Sequence, residues 1–208
     1  GFEQMVNPAP VVGVNASQSI VTSVQPLGEL TSIRMQLAKA NITVNINQGP
    51  LGVCGHSASY VAQGTIEAGL DLTRLGPEDI SYNALTDTYT ITLPAPQLLS
   101  CHVDFMDQYA GSLTLCNVDW DTARQLGQHV ALLDFRDDTL ESGILGQAEQ
   151  QARLVVGNFV RSLTGSNVEI VFAQTDPATL TDAWPSSCQP EPPGDWVYDV
   201  TTNSWTTR

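Results

Sequence analysis

Residues 121–163 read DTARQLGQHVALLDFRDDTLESGILGQAEQQARLVVGNFVRSL, and the reading of this stretch decides the fold. Leu126, Val130, Leu133, Leu140, Ile144, Ala148, Ala152, Val155, Phe159 and Leu163 recur at steps of three or four with a single longer gap. That spacing places them on one side of a helix. The gap skips Asp137. Asp119 or Asp121 can cap the start, and Gly165 supplies a C-terminal stop. One unbroken rod over these residues would run about 65 Å. A compact chain of this size has a radius of gyration of about 17 Å, so the spacing predicts a break near Asp137–Gly143, where Asp137, Asp138 and Gly143 cluster. A helix this amphipathic needs a partner surface.

The preceding segments read as the sheet that supplies it. Ile33, Met35 and Leu37 alternate with polar residues, and so do Ile42, Val44 and Ile46. The parity changes between the two sets, which calls for a bulge or a tight turn. Tyr60, Ala62, Gly64 and Ile66 form another alternating strand, ending at Gly69–Leu72, with a connecting turn at Gly76–Asp79. Ile80–Tyr82 and Tyr89–Leu93 read as a hairpin, stopped by Pro94 and Pro96. A strand over Leu98–Phe105 and a return strand over Ser112–Val118 follow, with a last core strand at Val168–Phe172 after the helical stretch. The fold class predicted is α+β, a twisted antiparallel sheet against one or two long helices.

Residues 1–18 read as a linker or arm, 19–174 as one domain, and 175–208 as a Pro-rich wrap ending in a Trp-containing hairpin. Trp196, Tyr198 and Val200 alternate, Thr202-Asn203 turns, and Trp205 follows. The segment resembles one hairpin of a kelch blade, but no repeat accompanies it. A terminal hairpin covering a sheet edge is the expectation.

Net charge is −14, from 22 acids and 8 bases in 208 residues. A polyanion needs Lys and Arg to neutralise its phosphates, so nucleic acid and acidic lipid are poor partners. No apolar run is long enough to span a bilayer. The opening Gly1-Phe2-Glu3 reads as a tag remnant on a truncated exported domain, which leaves an upstream anchor possible. Asn15-Ala-Ser17 and Asn41-Ile-Thr43 match a glycosylation pattern that is common by chance.

Cys54, Cys101, Cys116 and Cys188 allow three pairings and show no Cys-x-x-Cys spacing. Two disulfides and an oxidising compartment are expected, with Cys101–Cys116 and Cys54–Cys188 as the pairs. The first would staple two neighbouring strands.

Four constellations carry residue types suited to chemistry. Gly55-His-Ser57-Ala-Ser59 echoes a nucleophile elbow, but a strand rather than a helix follows the serine. Cys54, His56, Cys101 and His102 offer zinc-type donors at spacings poor for one tetrahedral ion. Asp104, Asp107, Asp119 and Asp121 are oxygen donors of the kind calcium takes, yet Asp119 and Asp121 also sit where a helix start favours negative charge. Glu67 and Asp71 flank Gly69 as a conceivable carboxylate pair. Each has a simpler structural reading, so no catalytic, cofactor or metal set is assigned.

Leu27-Gly-Glu-Leu-Thr31, Gly64-Thr-Ile-Glu-Ala-Gly-Leu-Asp-Leu72, Thr90-Ile-Thr-Leu-Pro-Ala-Pro-Gln-Leu-Leu99, Glu141-Ser-Gly-Ile-Leu-Gly-Gln-Ala148 and Val168-Glu-Ile170 follow one another in an order with a known likeness. The chain resembles the bacterial domain-of-unknown-function family 4230 from about Ser19 to Phe172. The Gly-Leu-Asp and Leu-Pro-Ala-Pro stretches are the most specific parts. The resemblance implies an exported domain behind an N-terminal membrane anchor, and it brings no established activity or functional residues. The cysteines and the tail from Thr175 depart from the pattern. The function expected is a non-catalytic exported domain, tethered at the cell envelope, that binds another envelope component or a protein. The alternatives are a small-ligand or lipid-binding module with a cleft between helix and sheet, and, third, a hydrolase.

Overall fold

A computed structural model of the protein describes residues 11–15, 20–26, 32–47, 56–112, 116–117, 119–174, 184–199 and 204–207. The alternating segments pair as the periodicity requires. Strand β3 (Ser32–Asn47) turns Ile33, Met35 and Leu37, then Ile42, Val44 and Ile46, into the core. The change of parity is a bulge: the register against β4 (His56–Gly69) shifts between Lys39 and Ile42, and Asn41 takes φ 62°. Asparagine tolerates that left-handed conformation better than most residues.

Strand β7 (Gln97–Gly111) lies on the other side of β4. It runs unbroken past Phe105, where the sequence reading ended it. The expected return strand is absent from the described part of 112–118. Ser112 instead closes onto β4, its N–H donating to the Ser57 carbonyl at 2.8 Å. The remaining neighbours in this sheet are β1 (Val11–Asn15) and β2 (Ile20–Pro26), which both pair with β3, and the hairpin β9 (Trp196–Asp199) and β10 (Ser204–Thr207). Among the described residues the order is β7-β4-β3-β1-β10-β9. The terminal hairpin thus extends the sheet by pairing β10 with β1.

Two helices cover one face. Helix α1 (Trp120–Glu141) starts at Asp119, whose carboxylate accepts from the Thr122 N–H at 3.0 Å and the Thr122 hydroxyl at 2.8 Å. Helix α2 (Ile144–Thr164) follows Gly143, at φ 80°. The break falls within the predicted interval. It also resets the helical phase, and this corrects the stripe. Beyond the break Phe159 and Leu163 are 55% and 70% exposed, and before it, in α1, Phe135, outside the expected set, is fully buried. In α2 the buried face runs through Ala152, Val156 and Val160 instead.

The reason for the last shift is a second sheet. The hairpin β5 (Ile80–Asn83) and β6 (Thr88–Leu93) is joined by β8 (Asn167–Phe172), which runs parallel to β6. Ile91, Leu93 and Ile170 from this sheet meet the later turns of α2 in a separate apolar cluster. The main cluster fills the space between the large sheet, α1 and the first turns of α2. On β4 the inward face mixes the large Tyr60 and Ile66 with small residues, Ala58, Ala62, Gly64 and Ala68. Gly64 lets α1 approach closely. A Cβ on Gly64 would fall 2.5 Å from the Phe135 ring and 2.7 Å from the His102 carbonyl oxygen.

The disulfide expectation is corrected. Cys101 pairs with Cys188, a Cα–Cα distance of 4.9 Å. Cys116 is also disulfide-bonded, and Cys54 lies outside the described residues. Proximity in sequence was the wrong guide: Cys101 points from β7 into the core, where the short 3-10 turn Ser186–Cys188 is seated. Arg136 clamps this segment, donating to the Cys188 carbonyl at 3.0 Å and lying 4.9 Å from the Trp184 ring centre.

Candidate functional site

The helices occupy one face of the large sheet. On the other face, strands β3, β4 and β7 present an open groove of about 580 Å³, lined among the described residues by strand residues alone. Period-two geometry makes this face the mirror of the core pattern. From β3 come Arg34 and Gln36, from β4 Gln63, Thr65 and Glu67, and from β7 Ser100, His102 and Asp104. Every lining side chain is polar.

These groups are joined to one another. Arg34 donates through Nε and Nη2 to Glu67 Oε1, at 2.8 and 2.6 Å. Ser100 Oγ donates to Glu67 Oε2 at 2.9 Å, so both carboxylate oxygens are held. Thr65 donates to Asp104 across the β4–β7 pair. Burial pushes the Glu67 carboxyl up, but the bonds from Arg34 and Ser100 and the positive charge of Arg34 outweigh it, and the group lies below its ordinary value. A general base working near neutrality needs its pKa raised, not lowered. Ser100, for its part, gives its proton to a carboxylate that is already tied to an arginine.

A bulge shapes the rim. The β4–β7 register shifts between Gln63 and Gly64, which places Phe105 opposite Gln63 with Asp104 as the inserted residue. Phe105 is 49% exposed and Tyr109, further along β7, is 53% exposed. The Tyr109 hydroxyl donates to Asn41 on β3.

A second cleft, of about 430 Å³, opens where the tail crosses α1 and β7, and His102 lines both. His129 is buried there beside the backbone of Glu191, and burial lowers its pKa more than the Glu191 carbonyl raises it. The amide of Cys101 donates to Ser187 Oγ at 3.3 Å, one further tie between tail and sheet.

The sequence candidates are dispersed. Ser57 lies inside β4, its N–H donating to Ser112 Oγ at 2.7 Å, with no helix after it. Cys101 is in a disulfide and offers no thiolate. His56 packs edge-on against Trp120 at 5.2 Å, while His102 faces the opposite side of the sheet. Asp119 caps α1, and Asp104 is bonded to Thr65. Among the described residues no group of three His, Cys, Asp or Glu side chains is arranged to hold a metal. Glu67 and Asp71 do not form a pair: Asp71 accepts from the Thr73 N–H at 3.1 Å and caps a 3-10 turn. The space between α1 and β4, where a cleft between helix and sheet would lie, is filled at its middle by Phe135 against Gly64. The groove itself was missed. Alternation marks its residues as outward, but only cross-strand register shows that Arg34, Glu67 and Ser100 are neighbours.

The architecture is that of an α+β domain with one sheet face roofed by helices and the other carrying a connected polar groove. Within that class, the chain belongs to the family described as "Protein of unknown function (DUF4230)", which matches residues 22–170. The groove lies within the matched part, and the strap around Cys188 lies beyond it. No curated protein and no solved structure matches the chain.

Proposed function

We propose that this is a non-catalytic, exported domain that binds another envelope component or a protein, and that the face of the large sheet opposite the helices is the recognition surface. The observation that carries the reading is the fixed network of Arg34, Glu67 and Ser100 at the floor of an open polar groove. Side chains held in place before contact lose less entropy on binding. The direction of the Glu67 shift and the engagement of Ser100 favour binding over hydrolysis. Export is supported by the Cys101–Cys188 disulfide, a bond typical of oxidising compartments. Tethering at the envelope follows from what the family resemblance implies.

The test is a photo-crosslinking residue placed at Gln36 or Gln63 in the native envelope, with Phe159 on α2 as the comparison position. Specific adducts at the two groove positions, absent from Phe159, are expected. Adducts at Phe159 alone, or none at all, would refute the assignment of this face.

A further inference from the structure

We infer that the groove on β3, β4 and β7 takes an uncharged, hydroxyl-rich chain, a saccharide, with one sugar ring lying against Phe105. This rests on the reading that the sheet face opposite the helices is the recognition surface.

The backbone narrows the choice first. The groove lies over the face of three mutually paired strands, whose amides and carbonyls are used in the β3–β4 and β4–β7 ladders. The strand edge beside the groove is the outer side of β7, the terminal strand of the sheet among the described residues, and the tail stands against it where the Cys101 amide donates to Ser187 Oγ, so an extended peptide added by main-chain bonding would lie beside the groove and not in it. Recognition must come from side chains.

The charges narrow it further. One arginine faces two carboxylates, Glu67 and Asp104, and Arg34 is already bonded to Glu67. An anion would meet a chain of net charge −14 and find the groove's arginine engaged. A cation would have to displace Arg34 from Glu67 or rely on Asp104 alone, a carboxylate that already accepts from Thr65. A hydroxyl needs neither exchange. It donates to a carboxylate or an amide oxygen and accepts from an amide or imidazole N–H. Gln36, Gln63, His102 and Asp104 supply both kinds of partner along the groove.

The rim supplies the apolar element. Phe105 stands opposite Gln63 with about half its surface in water. A half-exposed aromatic ring beside polar groups offers an apolar face next to hydrogen-bond partners. A sugar ring has one face of C–H groups and a hydroxylated edge. Laid on Phe105, it would turn that edge toward Gln63 and Asp104.

The experiment is amide chemical-shift mapping of the full chain with three neutral tetrasaccharides: chitotetraose, cellotetraose and maltotetraose. Each is titrated to about 10 mM, enough to saturate a site of millimolar Kd. The expected result is saturable shifts at Gln36, Gln63, His102 and Phe105 with at least one of them. Phe105→Ala should weaken that binding at least about tenfold with the rest of the spectrum retained. The control Phe159→Ala should leave it unchanged. No saturable shift with any of the three, shifts centred on the tail cleft, or binding unaffected by Phe105→Ala would overturn the saccharide assignment. A protein adduct from the Gln63 crosslinker, with no saccharide binding, would overturn the ligand class and leave the binding face standing. Absence of both would remove the two together.

Discussion

Gly64→Ala adds one methyl group at the closest approach of helix and sheet, and the structure sets its cost. The new Cβ would sit 2.5 Å from Phe135 Cδ2 and 2.7 Å from the His102 carbonyl oxygen. Carbon contacts are favourable at about 3.5–4.0 Å, so the ring must withdraw by about 1 Å. Phe135 is fully buried, so its ring can withdraw only by moving the close-packed neighbours around it. The His102 carbonyl belongs to the β4–β7 pairing and cannot retreat without loosening it. Overpacking of a filled core costs about 1–3 kcal/mol, and two simultaneous clashes place this variant at about 2–3 kcal/mol. Urea unfolding followed by circular dichroism should show a lower midpoint with an unchanged slope, the signature of lost stability without a change in compactness. Adding Phe135→Leu should recover only the part owed to the ring. A Gly64→Ala protein within about 0.5 kcal/mol of the parent would refute the claim that helix and sheet are in limiting contact here.

Three further outcomes follow from other sites. The Tyr60 hydroxyl is buried and has no hydrogen-bond partner among the described residues, so Tyr60→Phe should be neutral or more stable by up to about 1 kcal/mol; a loss above that in thermal unfolding would show that the hydroxyl is satisfied. Lys39, 5% exposed, bonds Asp134 at 2.7 Å. Asp134→Ala should therefore cost about 2–3 kcal/mol by leaving the ammonium unpaired, and Lys39→Met with Asp134→Leu should recover most of it. A double-mutant cycle with no coupling would sink that account. Glu67 is held below its ordinary value of 4.5, so its contribution is complete above that pH and is lost as pH falls through the folded value. Wild type should lose stability relative to Glu67→Gln on acidification below about pH 4.5, and parallel pH profiles of the two proteins would contradict the Arg34 and Ser100 bonds.

The sequence by itself determined those features that depend on local periodicity and backbone chemistry. The alternation of Ile33–Leu37 and Ile42–Ile46 encoded the inward face of β3 and required the bulge that Asn41 accommodates. Asp119 and Gly165 marked a helix start and a helix stop, and the cluster at Asp137–Gly143 marked the break. Each of these is decided within a few residues, by steric limits on φ and ψ and by the direction in which successive side chains point.

Tertiary structure decided everything that depends on which segments meet. The phase of α2 after Gly143 is set by the second sheet, which is why Val156 and Val160 are packed and Phe159 and Leu163 are not. Phe135 became central because β4 carries Gly64 opposite it. Cys101 found Cys188 rather than Cys116 because both point into the same core. The polar groove exists only because β3, β4 and β7 align Arg34, Glu67 and Ser100 across three strands, and cross-strand register is a relation between distant parts of the chain that no local pattern contains.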